Sequence, residues 1–193
     1  MTGLGWESFA KKGITVRHID SPVDFLKAWN VLLAAHFGPI AVLNDPISAT
    51  WLDPYENICW IPDDGGRTEI LRAQVGFTGA SLALADTGTL VLAEDSGFAR
   101  LVSNMVSCHV ALIPENRLVA NWQTALERLD QGRSHRPRIL SFISGPSQTA
   151  DIQGQLVRGM HGPTAVEAWI VPAVEGPLHS HKPLLLEPSY KRR

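Results

Sequence analysis

Four short stretches concentrate the residues able to bind or transform a small molecule. They are "TGAS" (78 to 81), "DTGT" (86 to 89), "SGPSQTAD" (144 to 151) and "MHGP" (160 to 163). Glycine lets backbone N–H groups approach a ligand, and Ser and Thr hydroxyls donate to carboxylate or phosphate oxygens. Loops of this composition suit an anion, although ordinary turns use the same residues. The 86–88 stretch reads equally well as a hairpin loop between "LALA" and "TLVLA". Asp151 is the best-placed general base if it faces a ligand; otherwise it is an acid in the first turn of a short helix over "IQGQLVRG". His161, just before Gly162-Pro163, either orients its loop or binds substrate and exchanges a proton.

Other chemistries are less well supported. Ser147 lies in Gly-Pro-Ser-Gln-Thr rather than in the G-x-S-x-G turn of a hydrolase nucleophile. Cys108 and His109 are neighbours on a predicted strand, so their side chains point to opposite faces and form no catalytic pair. His179 and His181 lie in a proline-rich tail without nearby ligands, and no metal site is expected. Only two cysteines are present, Cys59 and Cys108, too few for a four-thiolate iron-sulfur cluster. There is no dinucleotide G-x-G-x-x-G fingerprint after a strand. Any electrons moved in this protein's pathway must be carried by another chain or a diffusible cofactor.

The elements that must position these loops read as α/β. Ser21-Pro22 followed by Asp24 is a helix start, and Phe25, Leu26, Trp29, Leu32, Leu33 and His36 recur at helical spacing, predicting a helix over 21–37. "IAVLN" (40–44), "AQVGF", "CHVALI", "RILSFI" and "AVEAWIV" read as strands of one parallel-rich sheet; "FARLVSNMV" (98–106) and 121–130 read as helices. Residues 44–66 carry Asp45, Asp53, Glu56, Asp63 and Asp64 amid prolines and read as an excursion with little regular structure. Those acids form either a solvated loop or a cation site. In such sheets ligands settle outside the carboxyl ends of the strands, where the loops named above are expected to converge on one cleft.

At 193 residues, with 45% hydrophobic and 19% charged residues, the chain is the size of one well-cored domain. A net charge of −2 gives no overall attraction to nucleic acid. No apolar run is long enough for a membrane span and no leader pattern opens the chain, so a cytoplasmic location is expected. Residues 172–193, rich in proline and ending Lys191-Arg192-Arg193, read as a loosely held extension.

Together "GASLALADTGTLVL", "SFISGPSQTADI" and "GMHGP" resemble the signature blocks of the lactate-utilization protein C family, the LUD domain, over about residues 73–171. The resemblance implies a single LUD-type domain over 1–171. Its fold would be akin to the ribose-5-phosphate isomerase, glucosamine-6-phosphate isomerase and CoA-transferase group: a Rossmann-like, largely parallel sheet covered by helices, with a small antiparallel element. It implies a part in oxidising lactate to pyruvate beside iron-sulfur partner proteins, with no cofactor bound by this chain. The family's marked positions fall on Thr87, Gly88 and Thr89, on Ser144, Gly145, Pro146, Ser147, Thr149, Asp151 and Ile152, and on His161, Gly162 and Pro163. This chain departs at Asp86, where the family often has Glu, and at Thr164, where an Arg is common. By analogy of fold alone, the alternatives are a free-standing enzyme acting on a sugar phosphate or acyl-CoA, or a ligand-sensing regulatory protein.

Overall fold

The computed structural model describes residues 5–62, 65–130, 137–150, 156–158 and 161–174. In chain order the elements are α1 (Glu7–Lys11), β1 (Ile14–His18), α2 (Pro22–Ala35), β2 (Ile40–Leu43), α3 (Pro46–Leu52), β3 (Ile58–Ile61), α4 (Arg67–Arg72) and β4 (Val75–Gly79). There follow β5 (Leu82–Leu84), β6 (Thr89–Glu94), α5 (Phe98–Asn104), β7 (Cys108–Pro114), β8 (Leu118–Val119), α6 (Trp122–Asp130), β9 (Ile139–Ile143), β10 (Gln148–Ala150), β11 (Leu156–Arg158) and β12 (Ala165–Val171).

The largest sheet is six-stranded, in the order β1-β12-β7-β4-β2-β3, and every pairing in it is parallel. Its central strands are near-continuous apolar runs because both faces are covered. All seven residues of β7 are buried. On one face α2 and α3 bring Phe25, Trp29, Leu32, Ile47 and Leu52 onto Val42, Phe77, Val110 and Trp169. Trp169 meets the rings of Phe25 and Phe77 edge-on, at centroid distances of 5.2 and 5.5 Å, a favoured aromatic geometry.

The other face receives two kinds of cover. Helices α4 and α5, with the turn after α5, pack Ile70, Val102 and Val106 around Ala41 and Ile61. Beside them lies a four-stranded sheet, order β8-β5-β6-β9. It seats Leu90 and Leu92, with Phe9 of α1, on Ala111, Ile113 and Ala168 of the main sheet. The outer face of this second sheet is closed by Ala125 and Leu129 of α6. Strands β10 and β11 form a separate antiparallel hairpin.

The helix and strand assignments from the sequence hold for α2, β2, β4, β6, α5, β7, α6, β9 and β12, with α2 ending at Ala35 and α5 at Asn104 rather than at 37 and 106. Three expectations are corrected. "RILSFI" forms β9, but pairs antiparallel with β6 in the smaller sheet, not in the parallel one. Residues 44–66 are not an irregular excursion: they hold α3 and edge strand β3. Asp45 caps α3 through hydrogen bonds accepted from the N–H groups of Ile47 and Ser48, and Pro46 opens the helix. Within "IQGQLVRG", Leu156–Arg158 is a strand rather than part of a helix. Among the described residues no helix is long and apolar enough to cross a membrane.

Candidate functional site

The 86–89 loop is the tip of the β5–β6 hairpin, whose last pair is Leu84 with Thr89. The Gly88 N–H donates to the Leu84 carbonyl at 3.0 Å, and Gly88 has φ +64°. A Cβ there would sit 2.5 Å from the Ser8 carbonyl oxygen of α1. Glycine is therefore required twice over, by conformation and by the helix lying across it. Asp86 and Thr87 are exposed at the tip, whereas Thr89 is buried.

Thr89 Oγ1 lies 2.7 Å from Ser144 Oγ. Register produces this contact: Leu90 pairs with Ile143, so the next positions outward face each other where the ladder ends. Ser144 begins the second loop. Gly145 has φ +125°, and a Cβ on it would collide with the Lys12 carbonyl just after α1. Pro146 is buried beside Gly13. The Ser147 N–H then donates to the Pro163 carbonyl at 2.9 Å, and a Cβ on Gly162 would sit 3.1 Å from that of Ser147. Thr89, Ser144, Ser147, Gly162 and Pro163 thus form one run of contacts joining three loops, with α1 and the turn after it packed over two of the glycines.

The location differs from the expected one. Loop 161–164 leads into β12, and its Thr164 donates through N–H and hydroxyl to the Ser107 carbonyl just before β7. The run therefore lies at the amino edge of the parallel sheet, not outside its carboxyl ends. His161 is exposed on this loop. Asp86 sits apart: with Gly5, Ala85, Leu118, Val119 and Ala120 it lines an open groove of about 410 Å³. That groove is on the β8 side of the hairpin, whereas Ser144 follows β9 on the other side. Thr149 lies in β10. Asp151 and Ile152 fall outside the described residues, as do His179 and His181.

The sequence reading also missed a set of inward-facing polar contacts, of which those of the partly buried Asp45 lie at the carboxyl edge. Asp45 Oδ1 accepts from the N–H groups of Ile47 and Ser48 at 2.9 and 3.0 Å. Its Oδ2 accepts from Ser48 Oγ at 2.6 Å and from the Gly79 N–H at 2.8 Å. Burial drives the Asp45 carboxyl above its ordinary range, against the pull of those donors. The buried Arg117 donates through Nη1 to the Ala80 carbonyl; burial lowers its pKa although Asp45 acts to raise it. Thr78 Oγ1 is 2.9 Å from His109 Nε2, and Ser81 Oγ accepts from the Ala93 N–H. "TGAS" therefore spends its polar groups inside the fold. Asp45-Pro46 repeats the Ser21-Pro22 pattern and was a readable signal for a cap; nothing local marks Arg117 or His109.

Cys108 and His109 point to opposite faces as their strand positions require: Cys108 belongs to the α2 side of the core. Burial pushes the Cys108 thiol up to about 12 and the His109 imidazole down to about 3. Neither is a poised nucleophile or base at neutral pH. Among the described residues no group of three or more His, Cys, Asp or Glu side chains is placed to hold a metal ion.

The parallel sheet flanked by helices, with a small mixed sheet carrying hydroxyl-lined loops, defines a Rossmann-like α/β protein. The same fold is seen in the crystal structure of a DUF162 family protein from Deinococcus radiodurans. That match has a TM-score of 0.61 at 22% identity and covers 86% of this chain and 94% of that one. The chain belongs to the LUD domain family, whose model matches residues 50–171. Strands β1 and β2 precede the matched region yet are integral to the sheet, β2 lying between β4 and β3.

Similar curated proteins include the "Lactate utilization protein C" of an Exiguobacterium species, 39% identical over 111 residues, 56% of this chain and 48% of the relative. That of Shouchella clausii is 41% identical over 93 residues, 47% of this chain and 41% of the relative. That of Anoxybacillus flavithermus is 35% identical over 141 residues, 68% of this chain and 63% of the relative. The chain spans about half the length of the curated relatives it matches.

Proposed function

We propose that this LUD-domain protein takes part in lactate utilization, acting beside iron-sulfur partner proteins in the oxidation of lactate to pyruvate. In this reading it binds a small carboxylate at the joined loops around Thr89, Ser144, Ser147 and Gly162. The observation that carries the reading is the contact of Thr89 with Ser144. Of the two hydroxyl hydrogens, one closes the pair and the other is free to turn to an anion. The likeness to proteins named "Lactate utilization protein C" supports the choice of carboxylate. Asp151 and His161 are the proposed proton-transfer groups, and Gly88, Gly145, Pro146 and Thr149 shape the loops around the ligand, while Asp86 and Thr87 stand on the exposed hairpin tip with Asp86 turned to the separate groove. In this reading the redox cofactors belong to the partner proteins; the two cysteines of this chain are free, Cys108 buried and Cys59 partly so.

A thermal-shift screen of lactate, pyruvate, sugar phosphates and CoA esters tests the reading. Lactate or pyruvate at about 100 times its dissociation constant stabilises the fold by about 2.7 kcal/mol. Stabilisation by sugar phosphates or CoA esters alone would instead favour a free-standing enzyme or ligand sensor, and would sink the carboxylate assignment.

A further inference from the structure

The loops of the proposed site carry hydroxyls and backbone N–H groups but little positive charge. Residues 86–89, 144–150 and 161–164 include no Lys or Arg, and His161 is the one residue among them able to carry a positive charge. Neutral donors replace the water around a bound carboxylate without offsetting its charge. Hydrogen bonds from an ammonium or guanidinium to a carboxylate are about twice as strong.

A cation is supplied from outside these loops, by the turn that ends α1. The turn is tightly closed, the Lys12 N–H donating to the Phe9 carbonyl at 3.0 Å and the Gly13 N–H to the Ala10 carbonyl at 2.9 Å. It lies directly on the 144–146 loop. The Lys12 carbonyl abuts Gly145, a Cβ on Gly145 would lie 3.7 Å from the Cβ of Lys12, and a Cβ on Gly13 would lie 3.5 Å from Pro146 Cδ. The Lys12 side chain therefore springs from beside Gly145, whose lack of a side chain leaves that space clear. Its four-carbon stem carries the ammonium roughly 5 Å beyond Cβ, and successive Cα atoms are about 3.8 Å apart, so Ser144 and Ser147 fall within its reach. Lys12 is exposed and is paired with no acid among the described residues, whereas Lys27 is held by Asp24 at 3.1 Å.

We propose that Lys12 is the cationic determinant of this site: its ammonium pairs with the ligand's carboxylate, which the Ser144 and Ser147 hydroxyls orient. The inference rests on the carboxylate reading and deepens it, naming the residue by which the site prefers a carboxylate to a neutral molecule of the same shape. A basic residue at a helix C-terminus also offsets the helix dipole. Lys11, in the last turn of α1 and equally exposed, serves that purpose without springing from beside Gly145, and is the control.

The test is calorimetric titration of L-lactate, pyruvate and the neutral L-lactamide into the whole chain and its Lys12→Gln, Lys12→Arg and Lys11→Gln variants at low salt. Lys12→Gln weakens binding of the acids at least about fourfold and removes most of the preference over lactamide. Lys12→Arg restores binding to within about twofold of the parent, and Lys11→Gln costs less than about twofold, all at unchanged melting temperature. Acid binding that is weakened by Ser144→Ala with Ser147→Ala but not by Lys12→Gln overturns this inference and leaves the carboxylate reading standing. Equal losses from Lys11→Gln and Lys12→Gln overturn it as well, since they reduce the effect to overall charge. So does a lower melting temperature of Lys12→Gln with unchanged affinity, which assigns Lys12 to the end of α1 alone. A parent that binds neither acid overturns this inference together with the reading beneath it.

Discussion

Lowering the pH should expose the cost of burying His109. This residue stands on β7, between β4 and β12, fully buried, with Nε2 held by Thr78 Oγ1. Its Nδ1 meets no hydrogen-bonding group among the described residues. Burial lowers the folded-state pKa to about 3, while the unfolded chain titrates near its ordinary value of about 6.5. Between those values the unfolded state takes up a proton that the folded state refuses. The stability is complete above about pH 6.5 and is lost as pH falls toward 3. At about pH 5 the loss is about 2 kcal/mol, from 1.36 kcal/mol per unit over about one and a half units.

The raised carboxyls of Asp45 and Glu94 work in the opposite sense, since each binds its proton more readily folded than unfolded. The comparison is therefore made against His109→Gln, whose amide can still meet Thr78. Urea unfolding followed by tryptophan fluorescence at about pH 7.5 and pH 5 should show the stability difference between parent and variant moving by about 2 kcal/mol in the variant's favour. A movement under about 0.5 kcal/mol would refute the assignment of a neutral, proton-excluding imidazole.

Native protein treated with iodoacetamide near pH 8 should gain at most one adduct, at the partly exposed Cys59, because the Cys108 thiol is buried and pushed up to about 12. Mass spectrometry should find two adducts only after denaturation. Gly88→Ala and Gly145→Ala each place a Cβ against backbone at positive φ. Each should lower stability by about 1 to 3 kcal/mol in chemical denaturation; unchanged midpoints would show that α1 shifts freely.

What could be read in the sequence was what local chemistry encodes. Ser21-Pro22 announced α2 because a cap and an N1 proline need no tertiary partner. β7 and β12 announced themselves because a doubly covered strand is apolar along most of its length. The misreadings have equally local origins. Asp45 looked like one acid among several in 44–66, yet with Pro46 it is the same cap grammar, obscured by surrounding acids. "RILSFI" reads alike in a parallel or an antiparallel sheet, since alternation says nothing about the neighbour's direction. α1, at five residues, is too short for any period to show. It nevertheless dictates two of the candidate glycines, Gly88 and Gly145. The loops themselves were found by composition and family pattern, but their edge of the sheet was mistaken, because only chain direction through β12 reveals that His161 to Thr164 precede a strand.

The most direct test of the central claim is calorimetric titration of L-lactate and of pyruvate into the parent chain and into a variant with Ser144→Ala and Ser147→Ala. A hydrogen bond to a charged group is worth about 1.5 to 3 kcal/mol. Saturable binding to the parent, weakened roughly tenfold or more in the variant at similar thermal stability, is the predicted result. Parent and variant binding alike, or a parent that binds neither acid, would contradict it.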